Sequence, residues 1–357
     1  MGSGKSRSTV QIRHRAKSAP GPTTFRITSW SEEKFSRTAR RSGSAGRSGS
    51  GSSSSSLEST PDSGCTTSIS RLRSSWREAA VRTIAVVTTS RADYGHLIWP
   101  LRDLRASEGI DLRIIALGAQ MSPEFGETYR ELERDGFEID HKIECLLSSD
   151  TDVGMAKTIG LATLSLADIL GEMRPDILLL IADRYEMLAP AAVALSLRIP
   201  IAHIEGGEVS EGAIDQAVRD SLTKMSHVHF VPTETSRQRV IEMGEEPWRV
   251  HRTGAPSIDH LKRSERPGKR EVEEAIGLSL EVPPVVVAFH PVTLDIDTTT
   301  EAVPFFEAIE TIDRPIVFCF PNPDSGSHGI LERAQAFCSR RDDRKLCVNL
   351  PHLTYWS

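Results

Sequence analysis

From about residue 81 onward, apolar β-branched runs alternate with segments whose apolar residues recur at helical spacing. The runs fall at 81–89, 112–118, 174–186, 199–205 and 227–232. Continuous apolar runs of this length are typical of strands buried on both faces, as in a parallel sheet covered by helices. The pattern therefore predicts an α/β, doubly wound, Rossmann-like domain over residues 81–255.

A second set of strands and helices follows a polar segment. Residues 251–270 are rich in Gly, Pro and basic residues, and we predict a hinge or linker over 256–282. Beyond it, three more apolar runs have the pattern of strands, at 283–293, 315–322 and 345–350. Three strands and two helices cover a core poorly. We therefore expect residues 283–357 to form a partial domain, either cut short or completed by another chain.

The first eighty residues have a different composition. They carry 14 Lys and Arg against 5 Asp and Glu, whereas the whole chain has 43 against 49. Residues 40–56 are mostly Ser, Gly and Arg, with too few apolar groups to offset the entropy cost of ordering. We predict a disordered basic tail over 1–80. Its Arg- and Ser-rich composition also fits an organelle transit peptide, while the lack of interleaved aromatic residues argues against nucleic-acid binding.

Membrane insertion and disulfide bonding are not expected. The nearest approach to about 18 uninterrupted apolar residues is 187–204, which Pro190, Arg198 and Pro200 interrupt. We therefore predict no membrane span. The five cysteines are scattered without a CxxC pair, which argues against a zinc site or a disulfide framework and suits a reducing compartment. We expect a cytoplasmic protein.

Polar clusters follow the predicted strands at their carboxyl ends, the edge at which open parallel sheets bind ligands. Two such edges that face each other across a hinge would form a cleft. The residues and segments at these positions are Arg91, Gly95, Asp183, Arg184, HIEGGEVSEGAID at 203–215, His290 and FPNPDSGS at 320–327.

The residue types at this edge suit a sugar nucleotide. Arg91 and Arg184 have the planar guanidinium that binds a diphosphate through two hydrogen bonds. Gly326, between two serines, gives a turn whose amides can bind phosphate. Crowded carboxylates raise one another's pKa, so some of them can donate protons near neutral pH. The candidates for acid and base work are Asp183, Glu205, Asp215 and His290.

Several candidates also have a structural alternative. His290, which precedes a proline, can be a hydrogen-bonded core histidine. Arg184 can form a loop ion pair with the adjacent Asp183. Asp215 and Arg219 lie four residues apart on a predicted helix and can form a surface pair. We expect three other histidines to be structural, and their spacing does not indicate zinc: His203, His227 and His229. From the residues alone, the chain is a two-domain α/β enzyme for a phosphorylated or nucleotide-linked small molecule.

A series of segments carries a likeness to a known family. In chain order they are TSRADYG, DRYE, HIEGGEVSEGAIDQAVRDSLTKMSHVHF, TGAPSID, HPVT and FPNPDSGS. In these motifs the sequence resembles the hydrolysing UDP-N-acetylglucosamine 2-epimerases of sialic-acid biosynthesis, from about residue 82 to 355. The resemblance implies a glycosyltransferase-B-type fold with a UDP-sugar between two domains. It also implies a homodimer and no cofactor or metal.

The resemblance also implies a reaction. A base removes the proton at sugar C2 while UDP leaves C1, which gives 2-acetamidoglucal. Water then adds at C1 and a proton returns to C2 on the opposite face, so that N-acetylmannosamine forms. By matching position, Asp183, Glu205 and Asp215 are the acid/base carboxylates, and His290 binds or protonates the departing diphosphate. The matching substrate-binding positions are Arg91, Gly95, Arg184, Gly206, Gly207, Arg219, Asn322, Asp324 and Gly326.

The sequence departs from the family pattern in three places. Ala182 stands where the family usually has Gly before DRYE, and Gln216 and Asp220 stand where it usually has Asp and His. The family also continues well past Ser357 with a serine-rich turn that binds phosphate and ribose. We therefore expect a C-terminally truncated chain whose own activity is an open question.

Four other functions remain as alternatives. A non-hydrolysing epimerase would return UDP-N-acetylmannosamine, although the EGAID segment favours the hydrolysing branch. A hydrolysing enzyme for a diacetamido-trideoxy sugar nucleotide would use the same residues. An inactive nucleotide-sugar-binding protein would bind without turnover. A generic glycosyltransferase needs an acceptor and would not require the HIEGGE carboxylates.

Overall fold

A computed structural model describes residues 81–149, 151–295, 297, 299–319, 324–348 and 350–357. The tail predicted over 1–80 lies outside the described residues, as does Asn322. The described chain forms two α/β units with parallel sheets, and the first sheet is the larger. The predicted fold class is thereby confirmed.

The larger sheet has seven parallel strands in the order β3-β2-β1-β4-β5-β6-β7. The chain order reverses between β1 and β4, which is the switch point where such sheets bind ligands. The strands are built from apolar residues that are buried against helices on both faces. Their bounds are Arg82–Thr88 (β1), Ile110–Leu117 (β2), His141–Ile143 (β3), Ile177–Ile181 (β4), Ile201–Ile204 (β5), Val228–Val231 (β6) and Val250–Arg252 (β7).

Helices cover this sheet, and their starts follow from local capping. Ser90 accepts a hydrogen bond from the Asp93 amide, and the Asp93 carboxylate accepts one from the Ser90 amide, which begins the first helix. Thr151 caps a later helix in a similar way, through the Gly154 amide. The helices are Arg91–Arg105 (α1), Tyr129–Arg134 (α2), Asp152–Met173 (α3), Leu188–Leu197 (α4), Asp215–Met225 (α5), Glu234–Glu242 (α6) and Pro256–Arg263 (α7).

The second unit has three parallel strands in the order β10-β9-β8. Its core gathers Phe318, Ile330 and Phe337, a smaller set than the core of the first unit. Its elements are Lys269–Ile276 (α8), Val285–Ala288 (β8), Ala302–Glu310 (α9), Ile316–Cys319 (β9), Ser327–Cys338 (α10), Arg344–Cys347 (β10) and His352–Trp356 (α11).

The predicted linker over 256–282 contains two helices. Helix α7 packs on the first unit, where Arg263 forms a bidentate ion pair with Asp103. Helix α8 buries Val272 and Ile276 against β9 of the second unit. The passage between the units therefore lies between α7 and α8 and is shorter than we predicted. The sequence pattern also did not reveal β3 and β7, because three-residue strands carry no periodicity.

Helix α3 is, among the described helices, the one long and apolar enough to pass a membrane-span test by length and composition. We did not anticipate this, because Lys157 and Asp168 interrupt its apolar run. Its buried side places Thr158, Ala162 and Leu166 against the core. The same test is passed by core helices, so the absence of a membrane span stays a prediction.

Candidate active site

The carboxyl edge of the larger sheet brings the candidate side chains of β4 and β5 together. The register pairs Ile181 with Ile204, so the residues that follow each strand are neighbours. Both strands end in left-handed backbone, at Ala182 (φ 56°) and Glu205 (φ 67°). This conformation costs a residue with a β-carbon roughly 1–2 kcal/mol. Strain of this kind is concentrated at functional sites.

Asp183 is held by residues of the following segment and helix. The Arg219 guanidinium donates to the Asp183 carboxylate, and the Ser210 hydroxyl donates to the same oxygen at 3.3 Å. Arg219 is buried. The alternative that Arg219 forms a surface pair with Asp215 is therefore wrong. Instead, α5 delivers Arg219 to the end of β4.

Charged groups of both units converge around Asp215, the first residue of α5. Burial raises the pKa of Asp215 and nearby Asp324 adds to this effect, while Arg184 and His290 oppose it. The His290 residue is exposed, and desolvation of its ring by the surrounding protein lowers its pKa, as does nearby Arg184. The raised pKa of Asp215 makes its carboxyl group a readier proton donor, and the lowered pKa of His290 favours the neutral imidazole that can accept a proton.

Arg184 joins the two units through a buried charge cluster. Its Nη1 donates to Asp324 at 2.8 Å, and its Nε and Nη2 donate to the two Glu186 oxygens at 3.2 Å each. Burial alone would lower the pKa of Arg184, but Asp324 and Glu186 raise it well above the usual value. The alternative of a loop ion pair with Asp183 is wrong, because these two carboxylates are the partners. Nucleotide binding by Arg184 and Asp324 stays a prediction.

Glu186 is one of the residues that we did not single out. It is fully buried, and burial raises its pKa while Arg184 lowers it. Its position two residues after Arg184 in the DRYE motif was the available signal. Its contacts make it the partner that fixes the Arg184 guanidinium.

His96 is a second residue that we did not single out. Its Nδ1 lies 3.0 Å from a carboxylate oxygen of Glu205. Burial would lower the pKa of His96, but the hydrogen bond and the charge of Glu205 raise it. The signal in the sequence was its place directly after RADYG, within the second turn of a helix that starts at the ligand-binding edge.

The paired glycines after Glu205 have packing reasons of their own. A β-carbon at Gly206 would lie 2.9 Å from Thr223 Oγ1. Gly207 has φ 79°, and a β-carbon there would collide with the Ser236 carbonyl oxygen in α6. Gly207 therefore requires glycine even without a ligand, and a side chain at Gly206 would displace Thr223 or His203. Their predicted role in letting the backbone approach a sugar stays a prediction.

The two predicted binding residues of α1 lie at its start. Arg91 is its first residue and is half-buried. Gly95 lies against His352 of α11, whose ring would collide with a β-carbon at this position. Gly95 therefore allows the second unit to approach α1. Contact of either residue with a nucleotide stays a prediction.

The second unit contributes a glycine turn at the start of α10. Gly326 has φ 88° and precedes the helix, whose first residue, Ser327, is buried. Amides at such a helix start bind anions well, and the predicted phosphate role of Gly326 stays a prediction. Thr293 in the HPVT motif accepts a hydrogen bond from the Ile214 amide at 3.0 Å. This contact ties the motif to the start of α5.

His203, which we predicted to be structural, contacts the turn that carries Asp183. It is fully buried, and its Nε2 lies 2.8 Å from the Ala182 carbonyl oxygen. Burial lowers the pKa of His203 to about 4. A neutral imidazole that donates from Nε2 satisfies this carbonyl. His203 thus fixes the strained turn at Ala182 that carries Asp183.

Metal ligation and disulfides were not expected. In the described part of the chain, no group of three or more His, Cys, Asp or Glu side chains is arranged to hold a metal ion. The cysteines described there are free: Cys145, Cys319, Cys338 and Cys347.

Known proteins with similar sequences carry related names. The GDP/UDP-N,N'-diacetylbacillosamine 2-epimerase (hydrolyzing) of Campylobacter jejuni is 34% identical over 279 residues, 77% of this chain and 72% of that protein. The UDP-N,N'-diacetylbacillosamine 2-epimerase (hydrolyzing) of Legionella pneumophila is 35% identical over 74% of this chain and 70% of its own length. The UDP-N-acetylglucosamine 2-epimerase of Neisseria meningitidis is 33% identical over 71% and 66%.

Solved structures share the fold. A UDP-GlcNAc 2-epimerase from Neisseria meningitidis, crystallised with UDP-GlcNAc, superposes with a TM-score of 0.63 and 17% identity, over 76% of this chain and 74% of that one. The Methanocaldococcus jannaschii enzyme, in complex with UDP-GlcNAc and UDP, gives a TM-score of 0.61 and 19% identity, over 76% and 75%. The architecture is that of the two-domain glycosyltransferase-B type. A family model described as UDP-N-acetylglucosamine 2-epimerase matches residues 102–357, and the chain belongs to this epimerase family.

Proposed function

We propose that the protein is a hydrolysing 2-epimerase that converts UDP-N-acetylglucosamine and water to N-acetylmannosamine and UDP. The observation that carries this proposal is the gathering of acid/base groups where the two units meet. Glu205 follows the strand beside the one that Asp183 follows, and Asp215 and His290 influence each other's ionisation. Two proton transfers at opposite faces of one carbon need several such groups around one ring.

The reaction divides into elimination and addition. A carboxylate takes the C2 proton, the C–H electron pair forms a C1–C2 double bond, and the C1–O bond breaks as UDP leaves. Water then adds its hydroxyl to C1 and gives its other proton to a carboxylate, while a second, protonated carboxyl group delivers a proton to C2 from the opposite face. Asp183 is paired with Arg219, which favours its anionic form as a base. Asp215, whose pKa is raised, is suited to return the proton.

The names of two relatives favour a second candidate substrate. Both the Campylobacter jejuni and the Legionella pneumophila proteins are named for diacetylbacillosamine nucleotides. A UDP-linked diacetamido sugar has the same C1 leaving group and the same C2 acetamido group, so the residues above would serve it equally. The distinction therefore concerns groups at sugar C4 and C6.

The test is incubation of the protein with each UDP-sugar in deuterated water, followed by proton NMR. The expected result is a free 2-epimeric sugar with deuterium at C2, together with released UDP. Retention of UDP on the epimerised sugar would show a non-hydrolysing enzyme. Binding of UDP-sugar without deuterium incorporation would contradict catalysis by this chain. The faster of the two substrates identifies the sugar.

We further propose that a second copy of the chain pairs through α3. Outward-facing Leu164 and Val153 are 71% and 57% exposed, and Leu195 of neighbouring α4 is 53% exposed. Contiguous apolar surface of this kind usually marks an interaction site. The outward face of α3 includes Val153, Lys157, Gly160, Leu161, Leu164 and Asp168.

Two glycines of α3 support a close approach by another backbone. Glycine within a helix costs about 1 kcal/mol relative to alanine. A β-carbon at Gly160 or Gly171 would meet nothing within 4 Å in the described part of the chain. The protomer itself therefore gives no packing reason for either glycine. A helix that crosses α3 closely would give one.

The charges on this face favour a second α3 as the partner. Lys157 and Asp168 are both exposed and lie about three helical turns, or about 16 Å, apart. Two antiparallel α3 helices that cross at Leu161 and Leu164 would place Lys157 of each copy opposite Asp168 of the other. Such a contact is self-complementary about a two-fold axis.

Sedimentation velocity with charge-swap variants tests the pairing. We expect a dimer for the natural chain, at least tenfold weaker association for Lys157→Asp or Asp168→Lys alone, and recovery in the double variant. Leu164→Glu should give monomers. Val303→Glu, at an exposed position of α9 in the second unit, should remain dimeric. A monomeric natural chain, or no recovery in the double variant, would contradict the pairing. Binding of the natural chain to lipid vesicles, lost in Leu164→Glu, would identify a membrane-facing helix instead.

A further inference from the structure

His96 contacts the carboxylate of Glu205 from a helix that none of the candidate acid/base residues occupies. His96 belongs to α1, which follows β1, whereas Glu205 follows β5. The imidazole Nδ1 lies 3.0 Å from the carboxylate, and the two side chains are 28% and 12% exposed. The contact is therefore shielded from water on most sides but open enough to lie beside a bound substrate.

Glu205 needs such a contact more than Asp183 does. The Asp183 carboxylate is held by Arg219 and by Ser210. The Glu205 backbone is anchored, since its amide donates to the Phe230 carbonyl at 2.8 Å. Its longer side chain, however, must still be directed toward the sugar. A carboxylate that exchanges a proton with carbon must be held in a narrow range of positions.

We propose that His96 is a positioning residue for Glu205 in the reaction, an inference that rests on the proposed function. Nδ1 lies 3.0 Å from both oxygens of the Glu205 carboxylate, so its N–H fixes the position and the plane in which the carboxylate faces the sugar. Because Nδ1 carries a proton in the imidazolium and in one neutral tautomer, the contact does not depend on the charge of His96.

The groups around His96 come from four elements. Asp93 lies on the same helix and Glu205 lies after β5, and both raise the pKa of His96. On the other side, the ring of His352 in α11 lies 6.3 Å from that of His96 and 4.8 Å from that of His260 in α7. Burial lowers the pKa of His352 to about 4 and also lowers that of His260. Glu205 is therefore the carboxylate partner of His96, and the two histidines add little charge near neutral pH.

Two substitutions of His96 distinguish a role in positioning Glu205 from a role of the side-chain volume alone. His96→Ala removes the donor, and His96→Asn places an amide nitrogen where Nδ1 lies. For His96→Ala we expect kcat to fall by about 100-fold, the loss associated with a displaced catalytic group, with KM changed less than threefold. His96→Asn should recover most of that loss. His251→Ala, at an exposed histidine on β7, should match the natural chain. Equal kcat in His96→Ala, or no rescue by asparagine, would overturn the proposal.

NMR titration of the histidine side chains tests the pair without any substrate. In the natural chain the pKa of His96 should lie above the ordinary value, and in Glu205→Gln it should fall, because the carboxylate that raises it is removed. An unchanged His96 titration in Glu205→Gln would overturn the contact itself. If the natural chain turns over no UDP-sugar, the proposed function fails, whereas the titration still decides whether His96 holds Glu205.

Discussion

Arg184 of the first unit donates a hydrogen bond of 2.8 Å to Asp324 of the second, and both side chains are almost fully buried. The same guanidinium donates two further hydrogen bonds to the Glu186 carboxylate. Both carboxylates accept charge-assisted hydrogen bonds from this guanidinium, which are stronger than hydrogen bonds between neutral groups. The pair therefore couples the position of the second unit to the turn that carries Asp183.

Removal of Asp324 should loosen this coupling. Asp324→Asn keeps the side-chain shape and leaves Glu186 to balance the charge of Arg184, but it weakens a charge-assisted hydrogen bond, so the free energy of unfolding should fall by about 1–2 kcal/mol. Differential scanning calorimetry is the measurement, with Asp313→Asn as the control because Asp313 is fully exposed. Equal stability of the two variants would show that Arg184 does not depend on Asp324.

The strands and the binding edge were predictable because they depend on local pattern. Apolar runs located β1 and β4, and the rule that ligands bind at carboxyl ends located Asp183 and Glu205. The partners of the charged residues were not predictable. Arg219 pairs with Asp183 across 36 positions of the chain, whereas sequence spacing favoured Asp215. Such contacts depend on how α5 packs beside β4, which no spacing rule contains.

The polar segment after β7 was misjudged for a related reason. Its helices α7 and α8 are short and carry many charged residues, so composition alone indicated a linker. Each helix nevertheless buries one side, which in α8 includes Val272 and Ile276.

Ala182 is the opposite case, because here the sequence did point to an unusual residue. A small departure from the family pattern identified a residue whose backbone is left-handed, although the reason became evident only from φ.

Replacement of Ala182 by glycine should stabilise the fold. Left-handed backbone costs alanine roughly 1–2 kcal/mol, and glycine loses about 0.4–1 kcal/mol through the entropy of its unfolded chain. Ala182→Gly should therefore raise the free energy of unfolding by up to about 1.6 kcal/mol. Urea denaturation measures this change. Ala189→Gly in α4 is the control and should destabilise, because that position is helical and buried. A loss of stability in Ala182→Gly would contradict the strain assigned to this turn.

His203 should make the protein less stable in mild acid. Its pKa is lowered to about 4 by burial, against an ordinary value near 6.5. The unfolded chain therefore binds a proton more readily, so stability is complete above pH 6.5 and declines as the pH falls toward 4. Full protonation of this one group would cost about 3 kcal/mol.

Urea denaturation of the natural chain and of His203→Gln across this pH range is the measurement. Glutamine can donate to the Ala182 carbonyl from nearly the same position but does not titrate, so the variant should lose less stability between pH 6.5 and 4. Parallel curves for the two proteins would assign the acid sensitivity to other buried groups, such as His229.

Gly207 should not tolerate a side chain, whereas a glycine within a helix should. Gly207 has φ 79°, and a β-carbon there would collide with the Ser236 carbonyl oxygen in α6. Strain and displacement of α6 should together lower the free energy of unfolding of Gly207→Ala by at least about 2 kcal/mol. Gly329→Ala is the matched control, because that glycine lies within α10 and its β-carbon would make only an ordinary contact, 3.9 Å from Thr299 Cγ2. Helix propensity predicts that the control gains up to about 1 kcal/mol. If both variants shift stability in the same direction, the fit of α6 against the HIEGGE turn is looser than the contact distances imply.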